Sequence, residues 1–328
     1  MKLSYFDLTT TDPAFNLAAE EYIFEALPKD RMYLLLWQNE NAIIIGKHQN
    51  TLAQINTDFV SRKNIQVVRR LSGGGAVYHD MGNLNFTVIA DAEGEGINFT
   101  RFCDMVIAAL GKAGIRAERN GRNDMVIDGK KFSGNAQYIK NGRVMHHGTL
   151  LFDSDMTVLS QALHVDPEKI RSKGIQSVRS RVTNIRPLLP VDMTLPQFRA
   201  LLLESILEQY PGQALELTEA DLSAIRQIKE NRYDTWQWNY GLSPQCTMKK
   251  AARIEGCGTV EAYLTVTHGI LQTVCLRGDF FGDPQPLENR LTGVALRRQA
   301  LEEALSDVDA AQLISGLGNG ALVELLCR

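Results

Sequence analysis

The chain has 328 residues, a length that corresponds to about two domains of ordinary size. With 44% hydrophobic and 22% charged residues, its composition is that of a globular protein and excludes disordered, collagenous and low-complexity classes. Basic and acidic residues nearly balance, 35 against 38, so the net charge of -3 does not indicate nucleic acid or an anionic membrane as a partner, and any anion site would have to be local.

The first half of the chain predicts a helix, a series of short strands and a second helix. Asp12 can cap a helix that begins at Pro13, with an apolar face and with Glu20 and Glu21 at its edge. Residues 99–113 predict an amphipathic helix. Five apolar runs between these helices have the length and composition of strands: residues 32–37, 42–45, 67–71, 76–78 and 84–89.

Two turn dipeptides, Asp128-Gly129 and Asn141-Gly142, predict consecutive hairpins between residues 125 and 152. Strands joined by two-residue turns must be antiparallel, because parallel neighbours need a longer crossover connection. Helices surround these strands without strict alternation. The predicted fold class is therefore α+β, with largely antiparallel mixed sheets flanked by helices, rather than a doubly wound sheet.

The sequence changes character after Pro244. We place a domain boundary within residues 241–247, with a first domain of residues 1–244 and a smaller α+β domain of residues 248–328. Helices are predicted before the boundary at residues 195–209 and 219–231, and strands after it at residues 249–255, 260–266 and 270–276.

The most informative stretch of the chain is RRLSGGGAVYHD at residues 69–80. Three consecutive glycines are costly in a regular element, so they indicate positive φ angles or a close approach of the backbone to another group. Beside Arg69 and Arg70 they suggest an anion cradle, in which backbone N–H groups and a guanidinium bind a phosphate or carboxylate. A bulged hairpin with solvated arginines remains the alternative. The phosphate-binding patterns GxxxxGK[ST] and GxGxxG are absent.

Two histidine motifs do not predict a catalytic base or a zinc site. His79 and Asp80 are adjacent on a predicted strand, so their side chains point to opposite faces and are poorly placed to act as a base and its orienting acid. A histidine that bonds its own backbone is the simpler interpretation. His146 and His147 face opposite ways for the same reason, and no third ligand is suitably spaced, so a zinc site is not predicted.

The hairpin at residues 124–136 carries two adjacent lysines, Lys130 and Lys131, and only one of them can point into a given cleft. With Asn123 and Asp124 before the hairpin, a lysine and a hydroxyl on one face would form a corner for a phosphate and a metal ion. The alternative is a pair of solvated lysines that guard a sheet edge. Strand alternation places Lys131, Ser133 and Asn135 on one face, and Lys130 and Phe132 on the other.

A basic segment lies between residues 169 and 186 and contains no acidic residue. With its glycine and its serines and threonines it predicts a mobile loop that could close on an anionic ligand. RNA binding is the alternative, although the segment has no aromatic residue on which a base could stack. The six basic residues are Lys169, Arg171, Lys173, Arg179, Arg181 and Arg186.

The cysteines indicate a reducing compartment rather than a disulfide framework. They are odd in number, widely spaced and never arranged as CxxC, so cytoplasmic location is expected. Residues 1–13 lack the apolar stretch of a signal peptide, and no apolar run is long enough to cross a membrane. Cys103 falls on the amphipathic helix and is expected to be a core thiol. The five are Cys103, Cys246, Cys257, Cys275 and Cys327.

Five motifs occur together in the order and spacing of a known family. They are RRLSGGGAVYHDMGN at residues 69–83, GRND at 121–124, KFSG at 131–134, HHGTLL at 146–151 and GIQSVRSRVTN at 174–184. NLAAEE at residues 16–21 and WQWNYG at residues 236–241 extend the likeness. Together they resemble the lipoate-protein ligase A family of the biotin and lipoate ligase superfamily, most strongly through residue 186 and only thinly after residue 247.

The resemblance implies a fold, a reaction and partners. It implies a biotin/lipoate ligase-like catalytic domain followed by an accessory domain that moves between two half-reactions. Lipoate and ATP would form lipoyl-adenylate and pyrophosphate, with Mg²⁺ as cofactor, and a lysine amine of an acceptor protein would then take the lipoyl group. The implied acceptors are lipoyl domains of 2-oxoacid dehydrogenase complexes and the glycine cleavage H protein, with no nucleic acid or membrane partner.

The resemblance also implies site residues. Lys131 matches the invariant lysine that contacts the lipoyl carbonyl and the α-phosphate and is the catalytic residue, and Asp124 matches the magnesium corner. The nucleotide-binding residues would be Arg70, Gly75, Ala76, Val77, Tyr78, Asn123, Asp124, Lys131, Ser177 and Arg179. The lipoate-binding residues would be Leu17, Trp37, Ser72, Gly73, Gly74, His79 and Lys131.

Three alternatives remain open at this stage. An octanoyl or lipoyl transferase would need no ATP but would use a cysteine, and none lies near the motifs of Lys131 or His147. Biotin ligases are related, but their loop differs from RRLSGGG. A non-catalytic module that binds lipoyl domains or RNA could keep the fold, although it would not need to retain Arg70, Asp124 and Lys131 together.

Overall fold

The N-terminal helix forms as its sequence predicts. The computed structural model describes residues 2–92, 97–121, 123–162, 182–241, 248–267 and 269–327. Helix α1 spans Pro13–Ala26, and Asp12 Oδ1 accepts hydrogen bonds from the backbone N–H groups of Ala14 (2.9 Å) and Phe15 (3.4 Å). Glu20, expected at the edge of the helix, is instead 1% exposed. A buried carboxylate needs partners, and these are described with the site.

The first domain is built on a mixed sheet that contains eight of the described strands. Their order is β11-β1-β2-β6-β10-β9-β8-β7; β1 pairs in parallel with β2 and β11, and the other neighbours are antiparallel. The predicted α+β class is therefore confirmed. The strands are β1 (Lys2–Asp7), β2 (Arg31–Trp37), β6 (Asn83–Asp91), β7 (Glu118–Asn120), β8 (Asp124–Ile127), β9 (Lys130–Lys140), β10 (Arg143–Leu151) and β11 (Gly212–Ala214).

Helices cover both faces of this sheet, which explains why β2 reads as a continuous apolar run. Leu34 and Leu36 pack toward α4 (Thr100–Lys112) and α6 (Leu195–Gln209), whereas Tyr33 and Leu35 pack toward α1 and α7 (Glu219–Ile228). Cys103 of α4 is buried, as expected. The helices of this domain are α2 (Thr51–Gln54), α3 (Thr57–Arg62), α4 (Thr100–Lys112), α5 (Met156–Ala162), α6 (Leu195–Gln209), α7 (Glu219–Ile228) and α8 (Trp236–Asn239).

A second, three-stranded sheet lies against the first and contains the glycine-rich segment. Strand β3 (Ala42–Ile45) is its centre, parallel to β4 (Gln66–Arg69) and antiparallel to β5 (Val77–His79). Residues 70–76 therefore cross over the end of β3 instead of closing a hairpin. The alternative of a bulged hairpin with solvated arginines is wrong, because β4 and β5 do not pair and Arg69 and Arg70 are 0% and 6% exposed.

The hairpin of β8 and β9 contains a bulge that the sequence did not reveal. Val126 pairs with Lys131, but the preceding Met125 pairs with Ser133, so Phe132 is an extra residue on β9. The extra residue changes the parity of the strand: Lys131 lies over Gly134, and Ser133 is fully buried away from the cavity described below. The predicted common face of Lys131 and Ser133 is therefore wrong.

The C-terminal part has its own sheet and core. Its antiparallel strands run in the order β12 (Met248–Ile254), β13 (Gly258–Thr267) and β14 (Ile270–Gly278), as predicted. The proposed boundary at residues 241–247 falls mostly outside the described residues and stays a prediction. Helices α9 (Gln285–Leu291), α10 (Arg298–Ala304), α11 (Ala310–Leu313) and α12 (Asn319–Cys327) complete this part.

The loop after β14 joins the two parts of the chain. Phe280 carbonyl oxygen accepts a hydrogen bond from the backbone N–H of Gly74 (3.0 Å), and Phe281 packs in the core of the first domain. The ring of His48 stacks on Phe280 with centroids 5.0 Å apart. A Cβ at Gly73 would lie 2.2 Å from the Phe280 carbonyl oxygen, so this contact requires glycine there. None of the described helices has the length and apolar character needed to cross a bilayer.

Candidate active site

A cavity opens between the two sheets of the first domain, beside α1. Its volume is about 620 Å³, which includes the solvent-filled space at its opening. One part of its wall is apolar, and the rest presents lysine, histidine and amide groups. The lining residues are Leu17, Trp37, Ile44, Arg70, Gly74, Gly75, Ala76, Val77, His79, Asn85, Asn123, Lys131, Gly134, Asn135, Ala136, His147, Gly148 and Thr149.

Most of the residues singled out from the sequence meet at this cavity. Asp124, Ser72, Gly73 and Tyr78 do not line the cavity, but Asp124 forms an ion pair with Lys131, which does. Ser177 and Arg179, with most of the predicted basic loop, lie outside the described residues. Those on the wall are Leu17, Trp37, Arg70, Gly74, Gly75, Ala76, Val77, His79, Asn123 and Lys131.

The cationic end of the cavity is built on the β8–β9 hairpin. Lys131 Nζ lies 2.6 Å from Asp124 Oδ1, and each of the two side chains is 37% exposed. Asn123 holds the hairpin by donating from Nδ2 to the carbonyl of Asn135 (2.6 Å). On its other edge, the backbone N–H of Thr183 donates to the Lys131 carbonyl (2.8 Å). Lys131 is thus a charged, solvent-accessible group on a backbone that is fixed from both sides.

Arg70 stabilises the glycine-rich segment from within. Its guanidinium donates to Ile44 O (3.1 Å), Gly73 O (2.6 Å) and Gly75 O (2.9 Å), and its Nε donates to Ser72 Oγ (3.0 Å). Burial lowers the pKa of Arg70 to about 10, so the side chain remains a cation at neutral pH. The charge of Arg70 therefore lies under the glycine-rich segment. An anion that approaches this charge must pass the carbonyl groups that the Arg70 guanidinium already binds.

The turn of this segment can be made only by glycine. Gly74 has a φ of +89°, which L side chains rarely adopt. Its carbonyl oxygen would lie 1.9 Å from a Cβ at Gly46, at the end of β3. The run of glycines thus allows the chain to cross closely over β3 and to meet the loop after β14.

Arg69 has a different task from Arg70. It is absent from the cavity wall, and its guanidinium donates to backbone carbonyls at the end of β3 and in α8, including Gly46 O (2.9 Å) and Trp238 O (2.9 Å). Trp238 Nε1 in turn donates to Arg69 O (2.8 Å), and Asn239 Oδ1 accepts from Arg69 N (2.9 Å). The WQWNYG motif therefore serves to hold Arg69 behind the glycine-rich segment.

A buried chain of hydrogen bonds runs along the cavity wall. Ser72 Oγ lies 2.6 Å from His147 Nε2, and His147 Nδ1 lies 3.0 Å from Glu20 Oε1. Thr87 Oγ1 also donates to Glu20, and Trp37 Nε1 donates to Thr87 Oγ1 (2.9 Å). The chain ties the glycine-rich segment to β10, α1 and β2. Sequence reasoning missed Glu20 and His147 as parts of the site, although both stand in motifs that carry the family resemblance.

His146 points away from the cavity, as alternation predicts. Its ring bonds Gln137 Nε2 (3.0 Å) and Asn135 Oδ1 (3.1 Å), and it packs on Phe86, Phe99 and Phe102. Within the described ranges, no group of three or more His, Cys, Asp or Glu residues could hold a metal ion.

Three buried histidines should make the protein sensitive to acid. Burial lowers the pKa of His48, His79 and His146 from 6.5 to about 3. Below about pH 6.5 the unfolded chain binds protons at these positions and the folded chain does not. The free energy of unfolding should therefore decrease as the pH is lowered. Each histidine contributes up to about 1.4 kcal/mol per pH unit. Urea denaturation at several pH values between about 7 and about 5 measures this slope, and a constant free energy of unfolding would contradict it.

Two protein-family models match this chain at successive ranges. The family model described as the lipoyl protein ligase A/B catalytic domain matches residues 12–207, and the one described as the bacterial lipoate protein ligase C-terminus matches residues 243–326. The fold is therefore that of a ligase. The chain belongs to the lipoate-protein ligase family and is an enzyme with ligase activity, as the sequence motifs predict.

Similar proteins align along nearly the whole chain. It is 44% identical over 321 residues to the lipoate-protein ligase LplJ of Bacillus subtilis, covering 96% of this chain and 97% of that protein. It is 40% identical over 319 residues to lipoate-protein ligase 1 of Staphylococcus aureus, with 96% and 97% covered. Both parts of the chain thus have counterparts in these relatives.

Solved structures share the fold of about three quarters of the chain. A lipoate-protein ligase A bound with ATP has a TM-score of 0.63 at 27% identity, covering 74% of this chain and 100% of that one. A putative lipoate protein ligase of Thermoplasma acidophilum with bound lipoic acid has a TM-score of 0.64 at 26% identity, with 74% and 100% covered. A bipartite lipoate protein ligase of the same organism, described with its E2 lipoyl domain, has a TM-score of 0.65 at 28% identity, with 76% and 100% covered.

Proposed function

We propose that this enzyme attaches lipoate to a lysine side chain of an acceptor protein in two ATP-dependent steps. In the first, a carboxylate oxygen of lipoate attacks the α-phosphorus of ATP, which forms lipoyl-adenylate and releases pyrophosphate. In the second, the lysine amine attacks the acyl carbon and loses a proton, which forms an amide and releases AMP. The single observation that carries this proposal is the position of Lys131 at the mouth of a cavity with an apolar wall.

The apolar wall suits the hydrocarbon tail of the acid. Leu17, Trp37, Ile44 and Val77 line the cavity, and three of the four are buried below 4% exposure. A ligand tail that fills this space removes apolar surface from water. We assign tail binding to these walls, with Gly74 and His79 as neighbours. The solved relative with bound lipoic acid supports lipoate binding by this fold.

Lys131 suits both steps because each develops negative charge at the same place. In adenylate formation the charge grows on the α-phosphate oxygens and on the leaving pyrophosphate. In acyl transfer it grows on the acyl oxygen and then on the leaving phosphate. A fixed ammonium stabilises such charge without having to reorganise. Asp124 holds Lys131 at 2.6 Å until an anionic substrate competes for it.

We assign the nucleotide to the surface between Lys131 and the glycine-rich segment. Arg70, the backbone from Gly75 to Tyr78, and Asn123 remain its proposed contacts, together with Ser177 and Arg179 of the basic segment. Because Arg70 already binds Gly73 O and Gly75 O, its contribution to nucleotide binding is to shape the segment as well as to supply charge. The relative solved with ATP supports nucleotide binding by this fold.

Asp124 fits a magnesium ion whose remaining ligands come from water and substrate. It is a single carboxylate, and Mg²⁺ is commonly bound by one or two carboxylates while water and substrate phosphates supply its remaining ligands. Asp124 would hold such an ion next to Lys131. When bound, the ion would neutralise charge on the phosphate groups of ATP.

A cysteine-based acyl transferase is not favoured by the site. None of the cysteines in the described part of the chain lines the cavity. Cys103 is buried in α4, and burial raises its pKa to about 12, so it is not a thiolate at neutral pH. Adenylate chemistry needs no such nucleophile.

The acceptors we propose are lipoyl domains of 2-oxoacid dehydrogenase complexes and the glycine cleavage H protein. The archaeal relative described together with its E2 lipoyl domain supports the first of these. We also propose the cytoplasm as the compartment, which agrees with the free thiols of the four described cysteines.

A mass measurement tests this function directly. The protein, ATP, Mg²⁺, lipoate and an unmodified lipoyl domain should together give an acceptor whose mass is higher by one lipoyl group. Reactions without ATP and reactions with an acceptor whose target lysine is replaced should give no gain. A gain that is independent of ATP would point to a transferase, and no gain with a competent acceptor would refute the proposal.

A further inference from the structure

Two buried hydrogen-bond donors on the cavity wall have no partner among the described residues. They are Nε2 of His79 and Nδ2 of Asn85, and the two side chains are 3% and 1% exposed. Both residues line the cavity. Buried polar groups are nearly always hydrogen-bonded, and leaving a donor unpaired is costly. A pair of such donors beside one cavity indicates that a ligand completes them.

The hydrogen-bond network defines His79 as a donor. Asn16 Nδ2 lies beside the carbonyls of Thr10 and Gln38, which can only accept, so the amide nitrogen of Asn16 is fixed on this side, and the Asn39 atom 3.0 Å from it must be the acceptor Oδ1. Asn39 Nδ2 must then be the group that faces His79 Nδ1 (3.1 Å). Nδ1 therefore accepts, and the neutral ring carries its proton on Nε2. Burial lowers the pKa of His79 to about 3, so the ring stays neutral at physiological pH.

The contact with Asn83 leaves the amide nitrogen of Asn85 free of a partner among the described residues. Asn83 Nδ2 donates to Asn85 Oδ1 (2.9 Å), and in this arrangement Asn85 Nδ2 and Asn83 Oδ1 are the two buried amide atoms without a hydrogen bond; of these two residues, Asn85 lines the cavity. Asn85 of β6 pairs with Trp37 on the neighbouring strand β2. The ring of Trp37 meets the ring of His79 edge-on, with centroids 6.2 Å apart. The two donors thus flank Trp37 in the otherwise apolar part of the wall.

These donors lie far from the cationic end. Asn85 pairs with Thr149 of β10, and β10 separates β6 from β9, which carries Lys131. Two strand spacings amount to about 10 Å, and Trp37 on β2 is one spacing further. An acid whose carboxylate meets Lys131 therefore places the far end of its tail, rather than its carboxylate, beside His79 and Asn85.

We infer that His79 and Asn85 form a polar subsite that donates hydrogen bonds to the ring sulfurs of lipoate and thereby selects lipoate over saturated acids of similar length. This inference rests on the proposed function, which makes lipoate the substrate. Sulfur is a weak acceptor, but a hydrocarbon tail offers none and would leave both donors buried and unpaired. A site built to bond a polar group rejects an analogue that lacks it more strongly than a purely apolar pocket would.

Direct binding to the intact protein tests the inference. The probes are lipoate, its analogue 5-cyclopentylpentanoate, in which methylene groups replace both sulfurs, and octanoate, each titrated calorimetrically without ATP. We expect lipoate to bind about tenfold or more tightly than either saturated acid. Equal dissociation constants for lipoate and 5-cyclopentylpentanoate would overturn the inference, and because no variant is involved, misfolding cannot explain that outcome.

Variants then locate the effect. His79→Phe and Asn85→Leu should each bring the ratio of the lipoate and 5-cyclopentylpentanoate dissociation constants close to one, by weakening lipoate alone. His146→Phe is the matched control, because His146 is equally buried and neutral but does not line the cavity; it should keep the ratio of the unaltered protein. A ratio that survives both His79→Phe and Asn85→Leu would refute the assignment.

Failure of this inference can be told apart from failure of the proposed function. Similar binding of all three acids, with lipoylation of an acceptor intact, removes the subsite and leaves the function. Preferential binding of lipoate without any ATP-dependent lipoylation removes the function and leaves the subsite. Absence of binding by all three acids overturns the subsite.

Discussion

Replacing Lys131 with alanine is expected to slow the activation of lipoate by about 100-fold or more while the protein remains folded. Lys131 is the cationic side chain that the β8–β9 bulge places over Gly134, and among the described residues the contact of this side chain that stabilises the fold is a partly exposed ion pair with Asp124. Loss of one preorganised charge-stabilising group typically lowers a catalytic rate by about 100-fold or more. Pyrophosphate release with lipoate and ATP measures the loss.

Lys130→Ala is the matched control for this prediction. Lys130 is the neighbouring residue with the same side chain, but it is exposed at the start of β9 and does not line the cavity. It should retain most of the activity of the unaltered enzyme. Equal losses in the two variants would contradict the assignment of Lys131, and thermal melts of both would show whether either change affects folding.

Replacing Arg69 with methionine is expected to destabilise the whole first domain. Arg69 is fully buried, and its guanidinium donates to five backbone carbonyls and one hydroxyl. Methionine fills much of the volume but leaves these acceptors without a donor, so the free energy of unfolding should fall by roughly 3–5 kcal/mol. The acceptors are the carbonyls of Gly46, Lys47, Gln49, Trp238 and Asn239, and Thr51 Oγ1.

Arg253→Met provides the comparison for Arg69. Arg253 is exposed on β12, so its replacement should change the free energy of unfolding by no more than about 0.5 kcal/mol. Urea denaturation of both variants measures the difference. Similar midpoints for the two would show that Arg69 does not hold the β3 and α8 backbones together as its contacts indicate.

The two adjacent arginines of the glycine-rich motif bind different groups. From sequence, Arg69 and Arg70 were both candidates for an anion cradle. In the structure Arg69 faces backbone carbonyls behind the segment, and Arg70 lies beneath it with its guanidinium bonded to Gly73 and Gly75. The glycines in turn admit Gly46 on one side and Phe280 on the other. The cavity is therefore shaped by contacts that reach from β3 to the C-terminal part.

Local elements were predictable because their signals are local. Asp12 and Pro13 mark the start of α1, and the Asp128-Gly129 and Asn141-Gly142 turns define the β8–β9–β10 meander, with φ angles above +45° at all four turn residues. The motifs also sufficed to indicate the family. They did not reveal the bulge at Phe132, since an extra strand residue leaves no mark in a pattern of alternating residues.

What the sequence by itself determined is the helices α1 and α4, the β8–β9–β10 meander and the three C-terminal strands, together with the α+β class, the family and the identity of most residues that meet at the cavity. Only the tertiary structure decided which side chains point into it. The order of β4, β3 and β5 makes the glycine segment a crossover, and packing of α1 on the large sheet buries Glu20 beside His147. Such choices depend on pairings between residues far apart in the chain, and hydrogen-bond satisfaction in the buried interior settles them.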